Sequence, residues 1–125
     1  MKKLISTLTL ALFISAGIPS AMAHMNHGQP QYGGVVGEAV EAQFELVPKD
    51  DKVTVYASLH GSALDTAGAT GKLTVLSGSN KTELTLKPAG DNRMESKGKI
   101  TSGAKVLIQI QLAGKKSLQA RVVMP

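Results

Sequence analysis

Val106-Leu107-Ile108-Gln109-Ile110-Gln111-Leu112, residues 106–112, places Val106, Ile108, Ile110 and Leu112 at every second position, with Gln109 and Gln111 between them. Successive side chains of a strand point to opposite faces, so this two-residue period buries one face and wets the other. The same period runs along the chain from Val35 onward. Val40, Ala42, Phe44 and Leu46 alternate with Glu41, Gln43 and Glu45, and Val53, Val55, Ala57 and Leu59 with Thr54, Tyr56, Ser58 and His60. Leu84 and Leu86 alternate with Glu83, Thr85 and Lys87; Leu118, Ala120, Val122 and Met124 alternate with Gln119 and Arg121. Residues 72–77 and 93–97 read as further strands.

Turn signals separate these runs: Pro48-Lys49-Asp50-Asp51, Ser77-Gly78-Ser79-Asn80, Pro88-Ala89-Gly90-Asp91-Asn92, Thr101-Ser102-Gly103 and Ala113-Gly114-Lys115. Glycine supplies positive φ, proline fixes φ, and Asn, Asp and Ser bond to their own backbone. The pattern predicts an all-β domain of about seven short strands, a small antiparallel sandwich of immunoglobulin-like kind or a partly open barrel. Phe44, Val55, Leu84, Ile108, Ile110 and Val122 are the expected core. No helical period and no internal repeat stand out. The longer connection over residues 61–71 is expected either to cross between sheets or to carry function.

The first residues read differently. Met1-Lys2-Lys3 is basic, residues 4–18 are mostly apolar, and Ala21-Met22-Ala23 is the small-residue pattern that a signal peptidase reads. The apolar run falls short of the roughly 20 residues that a spanning helix needs. Residues 1–23 are therefore expected to be a cleaved signal peptide, 24–33 a flexible tail, and 34–125 the β domain. No stable membrane insertion is expected after cleavage. The short leader looks bacterial, and the expected location is the periplasm.

Loss of Lys2 and Lys3 leaves 12 basic against 9 acidic side chains, a charge of +3. The lysines are scattered and aromatics are few, so the clustered basic face and stacking rings of a nucleic-acid binder are missing. The absence of cysteine excludes disulfides, thiolate metal sites and a lipidated cysteine at the cleavage point. A chain of about 100 residues can still bury enough surface to fold as one domain.

Two of the three histidines lie in His24-Met25-Asn26-His27, directly after the expected cleavage site. A free α-amine titrates at about 7.7–8.0, so at His24 the amine and imidazole could close a chelate ring on one ion. His27 adds a second imidazole and Met25 a thioether. Imidazole suits copper, zinc and nickel, and thioether selects Cu(I), with soft silver expected to behave alike. Copper is the favoured metal, and no organic cofactor is implied. The competing reading is a polar tail with incidental histidines.

His60 falls on the wet side of its strand, at the end beside the long connection. It is either an ordinary exposed histidine or, with Asp65, a further ligand for the tail's metal. Ser58, His60, Ser62 and Asp65 do not make a hydrolase triad, since no nucleophile-elbow glycine pattern or oxyanion hole accompanies them. No phosphate loop or carboxylate pair appears elsewhere, so an enzyme is not expected. Met94 is a candidate thioether ligand but more readily a core filler, as is Met124. Glu41 and Glu45 are expected on the solvated face.

Gly33-Gly34-Val35-Val36, Phe44-Glu45-Leu46-Val47, Lys52-Val53-Thr54-Val55-Tyr56 and His60-Gly61 carry a resemblance. So do Asp65-Thr66-Ala67-Gly68-Ala69-Thr70-Gly71, Val75-Leu76-Ser77-Gly78 and Pro88-Ala89-Gly90-Asp91-Asn92-Arg93. Together these stretches, over residues 28–125, resemble a small exported domain found alone or at the front of periplasmic adaptor subunits of heavy-metal efflux systems. In that family a His-Gly-Gly motif often opens the domain, whereas here His27 is displaced from Gly33-Gly34. The strand-end position often reads Asp-His-Gly, whereas here it is Leu59-His60-Gly61. The resemblance adds to the metal reading of the residues, which is then of a periplasmic accessory protein that binds a transition metal, copper favoured, through His24, Met25, His27 and His60. Such a protein would buffer the metal or deliver it to an efflux system. The alternative is a non-catalytic interaction or adaptor module that contacts another envelope protein without a metal role.

Overall fold

The computed structural model of the protein describes residues 29–125. Among them every regular element is a strand: β1 (Val35–Ala39), β2 (Ala42–Lys49), β3 (Lys52–Leu59), β4 (Ser62–Ala63), β5 (Thr70–Ser77), β6 (Asn80–Pro88), β7 (Arg93–Lys97), β8 (Lys105–Gln111) and β9 (Ser117–Val123). All ladders are antiparallel, and the hydrogen-bonded path runs β1-β2-β3-β7-β6-β5-β8-β9, with β4 paired to β3. β6 belongs to both halves of this path. Its residues 80–86 pair with β5, and Lys87 and Pro88 then pair with Glu95 and Met94 of β7.

The two ends of the path, β1 and β9, lie side by side, so the sheet nearly closes into a barrel. Of the two expected architectures this is the partly open barrel. The seam is close: a Cβ at Gly37 would stand 2.9 Å from Val122 Cγ1 and 3.2 Å from the Arg121 carbonyl oxygen. Phe44, Leu46, Val55, Leu73, Met94, Ile108 and Ile110 are fully buried within the barrel, and Val122 and Met124 are buried near the seam. Leu84 is half-buried against this core.

The expected alternation is therefore the barrel's inside–outside pattern, with two additions. The first strand begins at Val35, not Val40; its buried positions are Gly37 and Ala39, and at Gly37 β9 leaves no room for a Cβ. β4 is the other addition, a two-residue strand. Val40, assigned inward by the alternation, is 91% exposed in the β1–β2 turn, where it sits at a φ of 58°.

The tight turns share a rule. Register leaves two residues in each of the connections Val40-Glu41, Asp50-Asp51, His60-Gly61 and Gly78-Ser79. In each the first of the two has positive φ, at 58°, 57°, 51° and 62°. Such turns twist in the sense that matches a right-handed pair of strands. The long connection from β4 to β5 does cross between the halves of the barrel. It is held by Thr66, fully buried, whose hydroxyl bonds to the Arg93 carbonyl at 2.8 Å and whose N–H donates to the Asp91 carbonyl at 3.0 Å.

Candidate functional site

The outer face of β2 and β3 carries what the sequence left open. Glu45 lies opposite Tyr56 in the ladder, and both side chains point away from the core. Glu45 is nonetheless only 5% exposed. Residues ahead of β1 fold back over it: its carboxylate accepts the N–H of Gln31 at 2.7 Å and those of Tyr32 and Gly34 at 2.8 Å each. A charge removed from water is costly unless hydrogen-bonded, and charge-assisted bonds to several backbone donors meet that cost. The Tyr32 ring stacks on Tyr56 with centroids 3.7 Å apart and planes 7° from parallel.

The expectation that Glu45 is merely solvated is thus corrected. The stretch expected to be flexible through residue 33 is anchored at its C-terminal end. Gly33 and Gly34 make the fold-back feasible. Gly33 has a φ of 79°, and a Cβ on Gly34 would collide with the Leu46 carbonyl oxygen.

At one end of the same face, two turn tips meet. Ala42 pairs with Leu59, which sets the Val40-Glu41 turn beside the His60-Gly61 turn. His60 Nε2 stands 3.7 Å from Glu41 Oε2, with both side chains well exposed. His60 and Gly61 have φ values of 51° and 83°, so both residues of this turn are left-handed. Histidine is among the residues enriched in that conformation. His60 therefore has a local backbone role as well as an exposed imidazole.

Asp65, expected as its companion, is instead engaged in its own turn, where Oδ1 accepts the Ala67 N–H at 2.9 Å. Ser58 Oγ donates to Gln43 Oε1 at 3.4 Å. Met94 is fully buried in the core.

His24, Met25 and His27, with the expected signal peptide, lie outside the described residues. Among the described residues no group of three or more His, Cys, Asp or Glu is gathered, and no helix is long and apolar enough to cross a membrane.

Glu41, Glu45 and Tyr32 are the residues that the sequence reading missed as partners. A signal for them existed. Tyr32 and Tyr56 are two of the three aromatics beyond the leader, and Gly33-Gly34 marks a sharp reversal beside one of them. Compared with family profiles, with curated proteins and with solved structures, the chain matches none.

Proposed function

We propose that the protein binds a transition metal in the periplasm, copper favoured, and buffers it or delivers it to an efflux system. The ligands are His24, Met25 and His27 of the N-terminal segment together with His60, and Glu41 joins them in place of Asp65. The observation that carries this reading is the anchoring of residues 31–34 on Glu45 and Tyr56, on the face that ends at His60 and Glu41.

The distances are compatible with it. A strand rises about 3.3 Å per residue, so His60 lies about 13 Å along β3 from Tyr56. His27 precedes Gln31 by four residues, which span up to about 14 Å when extended. The His60–Glu41 separation of 3.7 Å would have to close to about 2.8 Å for adjacent donors of a square-planar Cu(II), a shift open to two well-exposed side chains.

The test is a Cu(II) titration of protein that begins at His24, beside forms with one residue added before His24, with His60→Asn, and with Glu41→Gln. His60→Asn removes the imidazole yet leaves Asn-Gly, a favoured pair for this turn. The added residue separates the amine from the His24 ring and should weaken binding at least tenfold, and the two substitutions should each weaken it several-fold. Equal affinity in all forms would overturn the proposal.

A further inference from the structure

A second face of the barrel, formed by other strands, has its own chemistry. On the outside of β5, β6, β8 and β9 the register sets Lys81, Leu76, Lys105 and Val123 in one row, and Glu83, Thr74, Leu107 and Arg121 in the next. Leu76 is 44% and Val123 59% exposed, and Leu107 is half-buried between them. Each apolar side chain thus has a cation directly opposite: Lys81 and Lys105 beside Leu76, Lys105 beside Val123, Arg121 beside Leu107. The side chains line an open groove of about 510 Å³. Among the described residues Lys81, Lys105 and Arg121 make no ion pair and no side-chain hydrogen bond.

From this we infer that the groove is a docking surface for an acidic, extended segment of another protein whose carboxylates and apolar side chains stand on the same side of that segment, at alternate positions. Charge complementarity selects the occupant: three cations ring an apolar floor, and Glu83 is the acid in the two rows. The spacing agrees. Lys105 and Arg121 are diagonal neighbours on adjacent antiparallel strands, about 7–8 Å apart. Carboxylates at alternate positions of an extended chain lie about 6.5–7 Å apart on one side. A bilayer fits less well, because insertion needs apolar groups that project beyond the cations, and Leu107 is recessed among them. This surface is independent of the metal site, since it shares no strand with Glu41, Glu45, Tyr56 or His60.

The test follows the backbone amides by NMR while the capped peptide Glu-Ser-Glu-Ser-Leu, which when extended sets both carboxylates and the leucine on one side, is added. Shifts should concentrate on Leu76, Lys105, Leu107, Arg121 and Val123, and the capped peptide Lys-Ser-Lys-Ser-Leu should leave them in place. The double variant Lys105→Glu with Arg121→Glu should bind the acidic peptide at least tenfold more weakly. Its melting temperature and copper affinity should not change. Shifts centred on Lys52, Lys97 and Lys99, or unchanged affinity in the double variant, would overturn the inference. Binding to phosphatidylglycerol vesicles without binding to the peptide would also overturn it, in favour of a lipid surface.

Discussion

The Glu45 carboxylate holds the backbone N–H of Tyr32 at 2.8 Å across thirteen positions of sequence, and the Tyr32 ring in turn covers Tyr56, the ladder partner of Glu45. One acidic side chain thus fixes residues 31–34 ahead of the barrel.

Glu45→Ala should cost about 1–3 kcal/mol, because it removes a charged acceptor from several backbone donors. Hydrogen exchange at Gln31, Tyr32 and Gly34 should accelerate, while exchange in β8 changes only with global stability. Unchanged protection at those three amides would show that the carboxylate does not hold the segment.

Tyr32→Ala should cost less, about 0.5–1.5 kcal/mol, the usual worth of an aromatic pair. Gly34→Ala should release the same segment by another route, since its Cβ meets the Leu46 carbonyl oxygen, part of the backbone. Chemical denaturation of both variants, with Tyr56 fluorescence as the local probe, measures the difference.

Val40 is a β-branched residue at a φ of 58° with 91% of its surface exposed. Local backbone strain of this kind costs on the order of 1–3 kcal/mol. Val40→Gly or Val40→Asn should therefore stabilise the protein by about 1 kcal/mol, an unusual direction for a substitution. A lower melting temperature in both variants would mean that the Val40 side chain makes a contact worth more than the strain.

His60→Asn should leave stability within about 0.5 kcal/mol of the parent, as surface substitutions generally do. His60→Ala should cost about 0.5–1 kcal/mol, the difference between alanine and a residue type several-fold enriched in the left-handed region. Equal stability of the two in thermal melts would remove the turn from the explanation of His60.

Ile108→Ala should cost about 2–5 kcal/mol, because it opens a cavity in a packed interior. Leu107→Gln, one position along and on the outer face, should cost far less. Equal costs would reverse the facing of β8 and of every strand registered to it.

The residues show which parts of this were local. The alternation through 40–46, 53–60, 106–112 and 118–124 determined an all-β chain and named its inward side correctly at Phe44, Val55, Ile108, Ile110 and Val122. Period-two burial is a property of one strand, and turn chemistry is a property of a few neighbouring residues, so both can be read along the sequence. β1 escaped because its inward residues are the small Gly37 and Ala39, and β9 closes over Gly37. Only the tertiary structure decided that Glu45 is buried, that Glu41 and not Asp65 meets His60, and that Leu76, Leu107 and Val123 lie among Lys81, Lys105 and Arg121. Each of these depends on which strands become neighbours and in what register. That choice is made by long-range packing of the whole barrel, and no short window of sequence contains it.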